Sequence, residues 1–317
     1  MKRLCSAAIL AVTFFLLPLR AQAETLLIPV GQAVGLQLLD DTLTVAAFDE
    51  ACPAGRQAGL KIGDQITQIN GTDVHTPQQV QDALTQSGSR ARLTICRGGK
   101  SQVLTVELGD PPRLGVYLRQ GISGIGTVTF YDPDSGLFGT LGHGVSNSKG
   151  ALLDMRSGGA YALRLTSLVK GKSGDPGQLK GESCGDIQLG ILEKNTSQGV
   201  FGHSTQGWKG EPLPLVDYSE IHTGPAAIRC AVSQSGSQEY SVEILKIYPK
   251  NRTDGRNLLL KVTDPVLLET TGGIIQGMSG SPIIQDGKII GAVTHVLVND
   301  PTRGYGIFIE NMLEAAG

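Results

Sequence analysis

An excess of charge of either sign is missing from this chain. Its 317 residues hold 27 Lys and Arg against 29 Asp and Glu, so neither a nucleic-acid surface nor a polybasic membrane patch is expected. Aromatic residues are few, whereas glycine is abundant at 43. Glycines scattered between short apolar runs fit strands joined by turns better than a helical bundle. Cysteine is sparse as well. No Cys-x-x-Cys pair occurs and no Cys/His cluster has zinc spacing, so no metal and no organic cofactor are expected. Beyond Cys5, the residues Cys52, Cys96, Cys184 and Cys230 read as small buried thiols. Disulfides between Cys52 and Cys96, or between Cys184 and Cys230, are left open. After the first 23 residues no stretch approaches the roughly 20 apolar residues that a bilayer span needs.

What is present begins with a targeting segment. Lys2-Arg3 precede an apolar stretch from Leu4 to Leu19, followed by Ala21-Gln22-Ala23. A basic start, an apolar middle and an A-x-A site read as a secretory signal over residues 1–23. Arg20, next to the cleavage site, leaves retention as an N-terminal membrane anchor open. Export permits disulfides without requiring them.

Residues 25–108 read as one unit. Val34-Gly35-Leu36-Gln37-Leu38 is an apolar run, and Leu43-Thr44-Val45-Ala46-Ala47 has strand composition. Ala58-Gly59-Leu60-Lys61-Ile62-Gly63-Asp64 leads into Gln65-Ile66-Thr67-Gln68-Ile69 and an Asn70-Gly71 turn. Thr76 is a helix N-cap with Pro77 at the first helical position, and Val80, Ala83 and Leu84 share a helical face. This order resembles a PDZ domain. The resemblance implies that Val34, Gly35, Leu36, Gln37 and Leu38 form a carboxylate-binding loop. It also implies a groove between that strand and the helix from Pro77 to Gln86 that accepts an added peptide strand. Gly109-Asp110-Pro111-Pro112-Arg113 breaks the pattern and reads as a stiff linker over 109–113.

From residue 114 to 317 strands alternate with glycine turns. Gly277-Met278-Ser279-Gly280-Ser281-Pro282 is the candidate nucleophile motif. Its glycines permit a tight turn that aims the N–H groups of Gly277 and Ser279 at one point, where an oxyanion would sit. Ser281 is the weaker nucleophile, because Pro282 follows it. Of five histidines, His143 ends an apolar strand between Gly142 and Gly144, where a general base is fixed yet reachable. His295 lies inside an apolar strand and reads as a core residue. His75, His203 and His222 sit in polar surroundings. Two aspartates compete to orient His143. Asp264 follows an apolar strand. Asp186 lies 43 residues after His143 (186 − 143) and 93 before Ser279 (279 − 186), against roughly 45 and roughly 93 in the chymotrypsin order. Spacing alone favours Asp186.

Gly139 to Val145, Thr263-Asp264-Pro265, Gly272-Gly273-Ile274 and Gly277 to Pro282 resemble the SpoIVB peptidase family. Thr294-His295-Val296 and the run from Asn299-Asp300-Pro301 to Gly304-Tyr305-Gly306 extend the likeness. These are the stage IV B sporulation serine peptidases of endospore-forming bacteria. The resemblance implies a mainly β protein, an N-terminal PDZ domain followed by a chymotrypsin-like double β-barrel. It implies Ser279, His143 and Asp264 as the triad, with Asp186 the rival. It also implies a place in the space between forespore and mother-cell membranes. There the enzyme would cleave a membrane-bound regulator of an intramembrane protease, leading to pro-sigma factor activation, and would cleave itself in trans. A different class of function, a non-catalytic exported PDZ adaptor that tethers membrane proteins, stays open beside it.

Overall fold

The computed structural model describes residues 25–147, 150–252 and 254–317, and of Asp186 the backbone only. The targeting segment of residues 1–23, with Cys5, lies outside the described residues.

Two antiparallel barrels form the body. The chain enters with β1 (Leu26–Pro29) and β2 (Ala33–Phe48). It then builds a small unit from α1 (Ala54–Gln57), β3 (Gln65–Ile69), β4 (Thr72–Asp73), α2 (Pro77–Thr85), β5 (Arg90–Arg97) and β6 (Lys100–Glu107). It returns with β7 (Val116–Tyr131), β8 (Leu137–Thr140), β9 (Ser157–Val169), β10 (Gln178–Thr196) and β11 (Gly199–Ser204). Strand pairs β2–β7, β7–β8, β8–β11, β11–β10, β10–β9 and β9–β2 close the first barrel on itself. Val34, Leu36, Leu38, Val128, Phe138 and Val200 fill it. The short β12 (Leu213–Pro214) pairs with β1.

The second barrel comprises β13 (Gly224–Cys230), β14 (Gln238–Ile247), β15 (Leu258–Val262), β16 (Pro282–Gln285), β17 (Lys288–Leu297) and β18 (Asp300–Phe308), with α3 (Pro265–Thr271) after β15. Ile228, Val242, Leu258, Leu260, Ile283 and Val293 are its core. The chain closes with α4 (Ile309–Ala316), whose Ile309 and Met312 are buried. The architecture is the expected mainly β double barrel of chymotrypsin-like peptidases with a PDZ unit.

The PDZ unit is nested rather than placed in front. The strands β2 and β7, each 16 residues long, form a ribbon common to both parts. Its Ala33–Leu38 half pairs with Thr127–Ile122 in the first barrel, and its Leu43–Phe48 half pairs with Gln120–Val116 in the PDZ unit. Between them the register shifts at Gly121, whose φ of 69° an L side chain rarely adopts and whose added Cβ would lie 1.9 Å from the Leu38 carbonyl oxygen. Two sequence expectations change accordingly. Residues 25–38 belong to the peptidase barrel rather than to the PDZ unit, and Leu114–Leu118 return to that unit from beyond the linker.

The expected carboxylate loop changes with them. Val34, Leu36 and Leu38 are buried in the first barrel, and Val34 to Leu38 pair with both β7 and β9. A strand hydrogen-bonded on both edges has no edge left for a peptide. A groove lies elsewhere, between Pro77, Val80, Gln81 and Leu84 on α2 and residues 114–118. The helix itself is as expected. The Thr76 hydroxyl accepts from the Gln79 amide, and the Gln79 side chain accepts from the Thr76 amide, a complete capping box. A second local signal, Gly63-Asp64, is fixed by charge. Burial of Asp64 works against its ionisation, but hydrogen bonds from Arg97 and the Lys61 N–H outweigh that and hold its carboxyl below the usual range.

The four described cysteines are unpaired. Only Cys230 is the buried thiol expected, and burial pushes its pKa up to about 12.

Candidate active site

The turn around Ser279 follows from packing as much as from glycine. Gly280 has φ 97°, and an added Cβ there would meet the Thr127 carbonyl oxygen at 2.0 Å. No other residue fits that approach. The turn is then pinned from both barrels. The Thr127 hydroxyl donates to the Gly277 carbonyl at 2.8 Å, the Thr127 amide donates to the Ser279 carbonyl at 3.0 Å, and the Gly280 amide donates to Val293 at 2.7 Å. Gly277 itself has φ 100°. Its amide and that of Ser279 have no partner among the described residues, as donors reserved for an incoming oxygen would require. Ser281 is fully buried and its hydroxyl donates back to the Met278 carbonyl, so Ser279 is the serine that faces open space.

His143 sits after β8 on a strained stretch. Leu141, not a glycine, has φ 68°, and Gly142 has φ 66°. Such a backbone persists only where its surroundings over-determine it. Just beyond His143, Asn195 on β10 fixes the chain. Its Oδ1 accepts from the Val145 amide and its Nδ2 donates to the Val145 and Leu153 carbonyls, each at 2.9 Å. His143 Nδ1 lies 3.0 Å from the Gly144 carbonyl. A carbonyl only accepts, so Nδ1 carries the proton and Nε2 presents its lone pair. Burial lowers the His143 pKa, with the Gly144 carbonyl opposing the shift, so the imidazole is a neutral base.

Ser279 and His143 line one pocket, although no hydrogen bond joins them in this state. The Ser279 hydroxyl instead donates to the Thr294 carbonyl at 2.8 Å. Catalytic hydrogen bonds are often long or absent in resting sites and form only with substrate. Beside His143 lies His295, with ring centroids 5.2 Å apart and planes at 40°. Its Nδ1 is buried without a partner among the described residues, and burial, His143 and Arg256 together pull its pKa down to about 4. Thus His295, read from sequence as a core residue, is part of the site. Asn195 gave no sequence signal at all, because a single Asn in a strand looks like any other. His203 and His222 are exposed partners of Glu193 and Asp286, and His75 is exposed in the PDZ unit.

The two aspartates are not brought to His143 among the described contacts. Asp264 is the N-cap of α3. Its Oδ1 accepts from the Leu267 amide at 3.0 Å and its Oδ2 from the Ser241 amide at 3.4 Å. This carboxylate is committed to the helix start, and Gly144 rather than Asp264 holds His143 Nδ1. Asp186 lies on β10 between Ser183 and Gln188, where the pairing with β9 shifts; its side chain is outside the described residues.

The family model described as SpoIVB peptidase S55 matches residues 111–313, and one described as PDZ domain matches residues 44–97. A protein of Rhizobium meliloti (strain 1021) named "Probable periplasmic serine endoprotease DegP-like" is 33% identical over 85 residues, which are 26% of this chain. The matched part spans only 16% of that relative's length. The crystal structure of Rv3671c protease in its inactive form aligns over 61% of this chain and 82% of its own, with 14% identity and a TM-score of 0.33.

Proposed function

The chain belongs to the SpoIVB peptidase S55 family, and on that premise we propose that it is an exported serine endopeptidase whose chemistry rests on Ser279 and His143. The observation that carries the proposal is the meeting of these two side chains in one pocket beside the unpartnered amides of Gly277 and Ser279. Ser279 Oγ leaves the Thr294 carbonyl and attacks the scissile carbonyl while His143 Nε2 takes its proton. The oxyanion settles on the two amides. His143 then returns the proton to the leaving amine, and water repeats the sequence to release the acyl group. In this reading the Gly144 carbonyl fixes the tautomer of His143. Asp264, the third member implied by the resemblance, supports the site through α3, and Asp186 remains the rival.

The wider role proposed is that of a sporulation signalling protease. The N-terminal segment exports it to the space between forespore and mother-cell membranes. There it cuts the exposed part of a membrane-bound regulator of an intramembrane protease, starting pro-sigma factor activation, and it cuts other copies of itself. The groove between α2 and Leu114–Leu118 receives a peptide from such a target. Labelling by a fluorophosphonate probe tests the chemistry. Wild-type protein is expected to label and Ser279→Ala not to. If both are equally inert while folded, the peptidase reading fails and a tethering adaptor takes its place.

A further inference from the structure

The walls of the catalytic pocket are not used by the acyl-transfer chemistry. Leu36 and Leu38 of β2, Ile122 and Ile125 of β7, and Leu141 and Val145 on either side of His143 surround the two catalytic side chains. No Asp, Glu, Lys or Arg lines this pocket among the described residues. A charged group entering it would lose water and find no counter-ion, whereas an aliphatic group loses nothing. The volume is about 280 Å³, just under the ~300 Å³ at which pockets for whole small molecules begin. The space suits one or two side chains of an extended polypeptide.

One position in the wall is empty. Gly124 pairs directly with Leu36, as Ile122 does with Leu38. Paired residues share a face of the sheet, and so do alternate residues of one strand. Gly124 therefore stands on the pocket face between apolar neighbours. A Cβ added there would meet nothing within 4 Å, and its φ is ordinary. That differs from Gly126 on the same strand, where a Cβ would lie 2.5 Å from Leu141 Cδ2 and 2.7 Å from Leu36 Cδ1. The opening at Gly124 is thus space that substrate can use rather than space the fold consumes.

We infer that this pocket receives an aliphatic side chain of the substrate next to the scissile bond, and that Gly124 sets its depth. The substrate class is an extended polypeptide carrying Leu, Ile, Val or Met at one fixed position beside the bond cut. This inference rests on the serine peptidase reading above.

The test gives full-length wild type, Ser279→Ala and Gly124→Val an unstructured peptide library, and the new termini are read by mass spectrometry. Wild type is expected to cut, in a Ser279-dependent way, at bonds with an aliphatic residue at one fixed flanking position. The ratio of kcat/KM for a Leu peptide over its Ala counterpart is expected to fall at least tenfold in Gly124→Val, since one methylene in an apolar pocket is worth roughly 10- to 200-fold. A second variant, Ile122→Ala, should move the preference toward larger side chains. Fluorophosphonate labelling of each variant reports that the site is formed. Ser279-dependent cutting without aliphatic enrichment overturns the inference and leaves the peptidase reading standing, as does an unchanged Leu/Ala ratio in a labelled Gly124→Val. No labelling and no cutting by wild type overturns both.

Discussion

At the scale of single residues, the site depends on keeping imidazoles neutral in a largely apolar pocket. In the proposed mechanism neutral His143 is the base, and its lowered pKa means that this form persists as pH falls through the ordinary imidazole value of about 6.5. The acid limb of kcat/KM is therefore expected below about pH 6.5. His295 stays neutral down to about 4, so a single ionisation should govern the range from neutrality to mild acid. A pH profile of kcat/KM checks both statements, and an acid limb at or above the ordinary imidazole value would show that burial does not control the base. The meeting of Ser279 and His143 in one pocket was legible in the sequence to the extent that glycines bracket each, and a bracketed polar residue is readily presented by a turn. His295 was not, since Thr294-His295-Val296 within an apolar strand has the composition of a core. Only the three-dimensional approach of β17 to the turn after β8 makes it a neighbour of the base.

At the scale of elements, Thr263-Asp264-Pro265 carries two meanings that sequence does not separate. An Asp followed by Pro is both a candidate catalytic carboxylate and the N-cap and first position of a helix. The structure realises the second. Through α3 the cap bears on the turn that carries Ser279: the Thr271 hydroxyl at the far end of the helix joins the Leu267 and Gly273 carbonyls, and Gly273 opens the loop to Gly277. Asp264→Asn keeps a capping side chain and is expected to keep both stability and most of the activity. Asp264→Ala should cost about 1 kcal/mol of stability and lower kcat through a looser turn. Thermal unfolding with kcat on the same preparations reads this. Collapse of kcat in a fully stable Asp264→Asn would instead assign the orientation of His143 to Asp264, and the matching loss in Asp186→Asn would assign it to Asp186. The run Val34–Leu38 poses the same difficulty for strands. Its local composition suits a PDZ loop, but whether a strand joins one sheet or another is decided by partners such as Ala160 on β9, far along the chain. The PDZ helix and the Asn70-Gly71 turn, held by contacts within that unit, were read correctly for the complementary reason.

At the scale of the whole molecule, the nesting of the PDZ unit gives the shared ribbon a consequence that two domains joined by a linker would lack. Val116 and Leu118, at one end of β7, line the groove beside α2, while Ile122, Gly124 and Ile125 further along the same strand wall the pocket of Ser279 and His143. A peptide seated between α2 and Leu114–Leu118 would hydrogen-bond along β7 as an added strand. The ordering of that end is carried across Gly121 to the pocket, because β7 and β2 are paired on both sides of the register shift. Occupancy of the groove is thus expected to change kcat/KM for a short substrate that does not itself reach the groove, by at least about fivefold, the low end of ordinary coupling between sites. The measurement titrates a groove-binding peptide while following hydrolysis, with binding read independently by fluorescence anisotropy. Saturation of the groove with unchanged kcat/KM would make the ribbon a passive tether. A changed KM at constant kcat would place the coupling in the aliphatic pocket, since the turn holding Ser279 is fixed by Thr127 and Val293 rather than by the PDZ half of the ribbon.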